Sequence, residues 1–234
     1  MISHYTYFLI LAASLAGPLA LSFDKKVAFY KNWKYIFPAM LIPGLLYIVW
    51  DIYFTSRGVW SFSEKHITGI RLANLPLEEV LFFFIVPYCC IFIYECIRVY
   101  FPLLKNKKNA DYFLKLFAII LLITGIIFHD KYYTSWTCIF NAAFITLLYL
   151  CRNFFKEFDA LSFLVSYAVC IIPFLIVNGF LTAIPVVIYN NDENLGWRIY
   201  TIPLEDIFYG MLLVFMNIVL YEKLKNRKKT LVSL

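Results

Sequence analysis

Charge is scarce in this chain, and so are glycine, histidine and any paired-cysteine motif. Of 234 residues only 15% are charged, against 62% hydrophobic and 20% aromatic. With a mean hydropathy of +0.75, a soluble domain of this size could not hide its apolar surface, so lipid must solvate part of it. The eight glycines include no Gly-x-Gly pair, so nothing supports a dinucleotide-binding turn or a bound flavin or nicotinamide. The six cysteines form no Cys-x-x-Cys pair and lie in or at the ends of apolar runs, and there are only three histidines. Neither a metal site nor a disulfide framework is indicated. An Asp-rich diphosphate motif, a low-complexity linker and a soluble-domain segment are all lacking. The net charge of +6 comes from basic clusters flanking apolar runs. Membrane lipid headgroups are therefore the expected partner, and no nucleic acid is required.

What is present is a series of apolar runs long enough to cross a bilayer, near 5–23, 35–55, 76–97, 112–128, 135–151, 161–188 and 202–221. They predict an all-α polytopic transmembrane bundle of about seven spans. The sixth run is long and carries Pro173, Asn178 and Pro185, which predicts a kink or an unwound centre. No basic residue precedes the first run and Asp24-Lys25-Lys26 follows it, the pattern of a helix ending at the cytoplasm. With the N-terminus outside, only Arg57, Lys65, Arg71, Lys131 and Arg198 of the 21 Lys and Arg residues lie outside, leaving sixteen inside. That imbalance predicts an N-out, C-in, multi-pass protein of a bacterial cytoplasmic membrane.

One phrase occurs twice. Residues 69–79 read Gly-Ile-Arg-Leu-Ala-Asn-Leu-Pro-Leu-Glu-Glu, and residues 196–206, shifted by 127, read Gly-Trp-Arg-Ile-Tyr-Thr-Ile-Pro-Leu-Glu-Asp. At the same shift Tyr94-Glu95 recurs as Tyr221-Glu222. Span one maps onto five, two onto six and three onto seven, so both repeats cross in the same sense. The expected organisation is a first three-helix repeat at 1–101, a connecting helix with a basic lead-in at 102–130, and a second three-helix repeat at 131–234. Pro76 and Pro203 suit the first turn of their helices. Glu78, Glu79, Glu205 and Asp206 then fall in that opening turn. Asp51 and Thr55, repeated as Asn178 and Thr182, are expected at the same depth. A proline followed by acids is also an ordinary helix start, favoured by the helix dipole. The duplication and the matching Asp51 and Asn178 point instead to one functional acid cluster, because ionisable groups in a membrane protein usually face an interior cavity. Arg71 and Arg198 could pair with these acids or contact headgroups. Glu95 and Glu222, at the opposite helix ends beside Tyr94 and Tyr221, read as an interfacial belt. Phe82, Phe83 and Tyr209 follow the acids by a turn and are candidate substrate-lining aromatics, able to stabilise a cation through their ring faces.

These residues carry a resemblance. Asn-Leu-Pro-Leu-Glu-Glu at 74–79 with Phe82-Phe83, and Ile-Pro-Leu-Glu-Asp-Ile-Phe-Tyr-Gly at 202–210, resemble the membrane lycopene cyclase domain family. Ala-Leu-Ser-Phe-Asp-Lys-Lys at 20–26 and Val-Trp-Asp at 49–51 extend the match over nearly the whole chain. Some bacteria carry this domain as two small subunits, whereas both halves are in one chain here. The resemblance implies an isomerase that closes the ends of lycopene into β-ionone rings, giving γ-carotene and then β-carotene. It implies no cofactor and no metal. Glu78 and Glu205 are the expected acid/base residues, tuned by Glu79 and Asp206 and supported by Asp51 and Asn178. A proton-coupled transporter and another carotenoid end-group enzyme are the alternatives.

Overall fold

The computed structural model describes residues 2–102, 104 and 108–232, so residues 105–107 of the basic lead-in lie outside the described residues. Seven α-helices follow one another: α1 (Thr6–Leu21), α2 (Trp33–Ser56), α3 (Leu77–Tyr100), α4 (Lys108–Ile127), α5 (Tyr132–Leu150), α6 (Ala160–Ala183) and α7 (Glu205–Val232). All seven are long and apolar enough to cross a membrane, the fold class expected. The sixth span does not unwind at its centre. α6 runs unbroken through Pro173 and stops before Pro185, with Asp159 accepting the Ser162 N–H at 2.7 Å as its N-cap. One proline removes a single backbone donor, which a transmembrane helix tolerates.

Six short strands decorate the loops at one end of the bundle. β1 (Trp60–Phe62) pairs antiparallel with β4 (Val187–Tyr189). β2 (Arg71–Leu72) pairs with β3 (Leu75–Pro76), and β5 (Arg198–Ile199) pairs with β6 (Ile202–Pro203). The latter two are the hairpins of the duplicated phrase. Each opens at a positive-φ glycine, Gly69 (φ 83°) or Gly196 (φ 75°), and turns at a left-handed non-glycine, Ala73 (φ 55°) or Tyr200 (φ 58°). That conformation costs on the order of 1 kcal/mol. Arg71 and Arg198 hold it, donating to the carbonyls of Asn74 (2.7 Å) and Thr201 (2.6 Å). Pro76 and Pro203 end the second strands, so they precede the helices and do not open them.

The repeats interlock about a pseudo-two-fold axis. α1 packs on α3 as α5 packs on α7, and the third helix of each half lies against the second helix of the other, α3 on α6 and α7 on α2. Ser61 faces Ile188, its own counterpart at the 127-residue shift, so the axis passes through the β1–β4 pair. At the opposite end the halves are tied by crossed ion pairs. Arg98 on α3 meets Glu222 on α7, and Lys225 on α7 meets Glu95 on α3 at 2.7 Å. Arg98 and Lys225 are themselves counterparts. Glu95 and Glu222 are 4% and 1% exposed, so they are buried clasps between helices, not members of a surface belt. The Ser22 hydroxyl at the end of α1 bonds the Tyr88 hydroxyl (2.6 Å), which gives the 20–26 motif a local packing role. Two apolar clusters fill the bundle, one around Phe163 and Phe215 and the other around Phe54 and Leu213 beneath the hairpins. α4 packs on α5 and α6 outside the paired helices.

Candidate active site

Four acids begin the two axial helices, Glu78 and Glu79 on α3 and Glu205 and Asp206 on α7. All are buried, none more than 8% exposed. Adjacent residues on a helix project about 100° apart, so each acidic pair must divide its directions. Glu79 and Asp206 face the axis and line a cavity of about 40 Å³ together with Asp51 and Asn178. Phe82, at i+3 from Glu79, and Tyr209, at i+3 from Asp206, line it as well.

Glu78 and Glu205 point away and hold the loops. Glu78 accepts the Thr68 N–H at 2.7 Å; Glu205 accepts the Leu195 N–H at 2.8 Å and the Thr134 hydroxyl at 2.6 Å. Thr68 and Leu195 are again counterparts. The expectation that Glu78 and Glu205 head the site therefore meets a different placement, in which their neighbours reach the cavity.

The cavity is chemically lopsided. Asp206 accepts three hydrogen bonds, from the hydroxyls of Tyr133 (2.6 Å) and Tyr189 (2.9 Å) and from Asn178 Nδ2 (3.1 Å). Glu79 accepts one, from the Tyr7 hydroxyl at 2.5 Å. Asp51, where the other half has Asn178, lies beside Glu79, Trp60 and Tyr209, and its Oδ2 is buried without a hydrogen-bond partner. One side of the axis thus carries a carboxylate saturated with donors, and the other carries two carboxyls with few. Burial raises the Tyr189 hydroxyl well above its ordinary pKa, and the Asp206 carboxylate adds to the effect, so this strand residue is a donor at neutral pH.

Aromatic rings form the walls. Tyr133 and Tyr189 stack at 5.9 Å, and Trp60 meets Tyr133 edge-on at 5.1 Å. Trp60 and Tyr133 approach Tyr209 at 5.9 and 5.8 Å. Phe83 is not part of the lining; it packs beneath, 5.6 Å from the Tyr47 ring. Arg71 and Arg198 are not brought to the acids. Besides clamping their turns they reach Glu64 and Asn191, counterparts in the exposed loops. Tyr7, Tyr133, Tyr189 and Trp60 were missed in the sequence. Tyr7 and Tyr133 are related by 126 residues, one short of the shift elsewhere, so aligning α1 with α5 by the helix register would have paired them.

These features define a seven-helix, membrane-type bundle whose two repeats converge on one buried, aromatic-walled carboxylate cavity. The family described as Lycopene cyclase matches residues 4–97 and 130–224, one segment in each repeat, and the chain belongs to that family. A bifunctional lycopene cyclase/phytoene synthase of Phycomyces blakesleeanus is 27% identical over 95 residues, 37% of this chain and 16% of that protein. One of Pyrenophora tritici-repentis is 46% identical over 41 residues, 18% of this chain and 7% of its own length. A lycopene beta-cyclase of Halobacterium salinarum is 33% identical over 61 residues, 23% of this chain and 26% of its own length. The chain thus spans about a quarter or less of these relatives. No solved structure matches it significantly.

Proposed function

We propose that this protein is a lycopene beta-cyclase working inside a membrane, with Glu79 as proton donor and Asp206 as the anion that faces the cation. The observation that carries this reading is the convergence of Glu79, Asp51 and Asp206 on one cavity with aromatic walls. The reaction is an isomerisation in which every atom of the substrate is kept. A proton is added to the terminal double bond, leaving a tertiary cation at C1. The C5=C6 bond attacks it, closing C1–C6 and moving the charge to C5. Loss of the C6 proton restores a double bond and gives the β-ring.

Glu79 has one donor neighbour and a second carboxyl, Asp51, beside it, so the pair shares the proton that is delivered. Asp206, fixed by three donors, offers a preorganised negative charge to the passing cation. The faces of Trp60 and Tyr209 add their ring quadrupoles. The deprotonated Glu79 is placed to take back the C6 proton, which resets the site. No electrons are gained or lost over the cycle, so the isomerisation consumes neither oxidant nor reductant.

The same reading treats the chain as repeats 1–101 and 131–234 joined by 102–130. It places the N-terminus outside and the C-terminus inside a bacterial cytoplasmic membrane, with the hairpins and the acid cavity near the outer face. The sixteen-to-five division of basic residues supports that orientation. Expression in bacteria that accumulate lycopene, with pigments separated by chromatography, tests the function. γ-Carotene and β-carotene are expected. Unchanged lycopene beside abundant, folded protein in the membrane would reject the reading.

A further inference from the structure

A second hollow, about 230 Å³, runs between α1, α3 and α6. It shares Val86, Phe174 and Asn178 with the acid cavity, so the two adjoin. Apart from Ser14, Asn178 and three cysteines its lining is apolar, and it opens sideways where Ile176 is 57% exposed. From Glu79 in the cavity to Ile93 at the far end of the groove, α3 rises roughly 21 Å at about 1.5 Å per residue.

The pseudo-two-fold axis requires an equivalent cleft between α5, α7 and α2. There the counterparts are larger. Val177 is matched by Trp50 and Cys89 by Met216 at the 127-residue shift, and Ser14 by Phe140 in the 126-residue register of α1 and α5. The Trp50 ring lies 4.9 Å from Phe140, 5.1 Å from Tyr209 and 5.3 Å from Tyr47. One turn along, Tyr53 stacks on Trp136 at 5.4 Å. These rings fill the space between α2 and α5. Symmetry built two clefts, and side-chain volume has closed one.

Building on the cyclase reading, we infer that the α1–α3–α6 groove is the binding site for the polyene chain and the one lateral doorway to the acids. The occupant is a long, unsaturated hydrocarbon, because the groove is largely apolar and adjoins the cavity where an end group would be protonated. Both ends of the substrate therefore use the same door. A molecule seated by one end has to leave the groove and turn before its second end can react.

The test transplants the plug. In lycopene-accumulating bacteria, Val177→Trp and Ser14→Phe are compared with the wild type and with Ile172→Trp, a change at an exposed position of α6 outside the groove lining. The expected result is at least a tenfold fall in cyclised pigment for the two plugging variants, and little change for Ile172→Trp, at matched abundance in the membrane. Cyclisation by the wild type and equally by both plugged variants would overturn the doorway. If the wild type leaves lycopene unchanged, it is the cyclase reading that fails. A second measurement is independent of turnover and of how the plugged variants fold. Wild-type protein in phospholipid vesicles, with and without lycopene, is treated with a membrane-permeant maleimide, and modification of Cys89 is followed by peptide mass spectrometry. Slower labelling with lycopene than with phospholipid alone supports the polyene site. Equal labelling in the two preparations, the result for a groove filled by lipid acyl chains, rejects it.

Discussion

Replacing Glu79 by glutamine removes an acidic proton and almost nothing else. Glutamine has the same shape, and its carbonyl oxygen can still accept the Tyr7 hydroxyl that now lies 2.5 Å from Oε2. The structural cost is the difference between a charge-assisted and a neutral hydrogen bond, about 1 kcal/mol. The catalytic cost is larger, since a positioned general acid contributes about 10²–10⁴-fold. At about 1.4 kcal/mol per factor of ten, that is about 3–5 kcal/mol of barrier. The adjacent Glu78→Gln is the control, because Glu78 accepts the Thr68 N–H and does not line the cavity. It should stay within about threefold of the wild type, under about 1 kcal/mol. The assay is the initial rate of ring formation by purified protein in lipid vesicles loaded with lycopene, resolved by chromatography. If Glu79→Gln retains a third or more of the rate, or if Glu78→Gln is the more damaging change, the division of labour between adjacent acids is refuted.

Arg98→Ala should lower thermal stability in detergent by about 1–3 kcal/mol, because it leaves the 1%-exposed Glu222 side chain without its cation; Arg98 is 37% exposed, which moderates the loss. Adding Glu222→Gln should recover part of it. Gly125→Ala puts a methyl group 2.7 Å from Ile139 Cγ1 and 3.0 Å from the Ser135 carbonyl. The expected loss is about 1–3 kcal/mol of stability, read from the thermal midpoint, with the cyclisation rate of the folded fraction unchanged. Tyr189 has a folded-state pKa above its unfolded value, so its contribution is fully present below about pH 10 and fades as pH rises through the higher folded value. Spectroscopic titrations of wild type and Tyr189→Phe should therefore superimpose through the range where exposed tyrosines ionise. An extra tyrosinate in the wild type at about pH 10 would contradict the burial argument.

The helices were legible in the sequence because the bilayer imposes a length and apolarity that few other structures share. The repeat was legible because its hairpin phrase is rigid: the turn needs Gly69 and Gly196, the arginines that clamp Ala73 and Tyr200, and the prolines that end the strands. The acid layer followed from that phrase. The facing of each acid did not follow from composition, yet the helical spacing held it. Glu79, Phe82 and Val86 share one face of α3, as Asp206, Tyr209 and Leu213 do on α7, and Glu78 and Glu205 fall off it. Tyr189 and Trp60 were hidden for another reason. They sit on short strands whose pairing is set by the meeting of the two halves, a long-range event with no local signature. At α6 a strong local signal, Pro173, did not interrupt the helix, because it removes only one backbone donor from the span.

The pairing of Ser61 with Ile188 bears on how such a chain can evolve. A strand that meets its own counterpart across a two-fold axis is what a symmetric dimer of one small subunit would form. In such a dimer every residue near the axis appears twice, so an aspartate facing the cavity would always be opposed by a second aspartate. Covalent fusion lifts that constraint. Asp51 is opposed by Asn178, Glu79 by Asp206 and Val177 by Trp50, each a difference no identical pair could hold. Duplication supplied the walls, and divergence between the copies gave the cavity a left hand and a right hand.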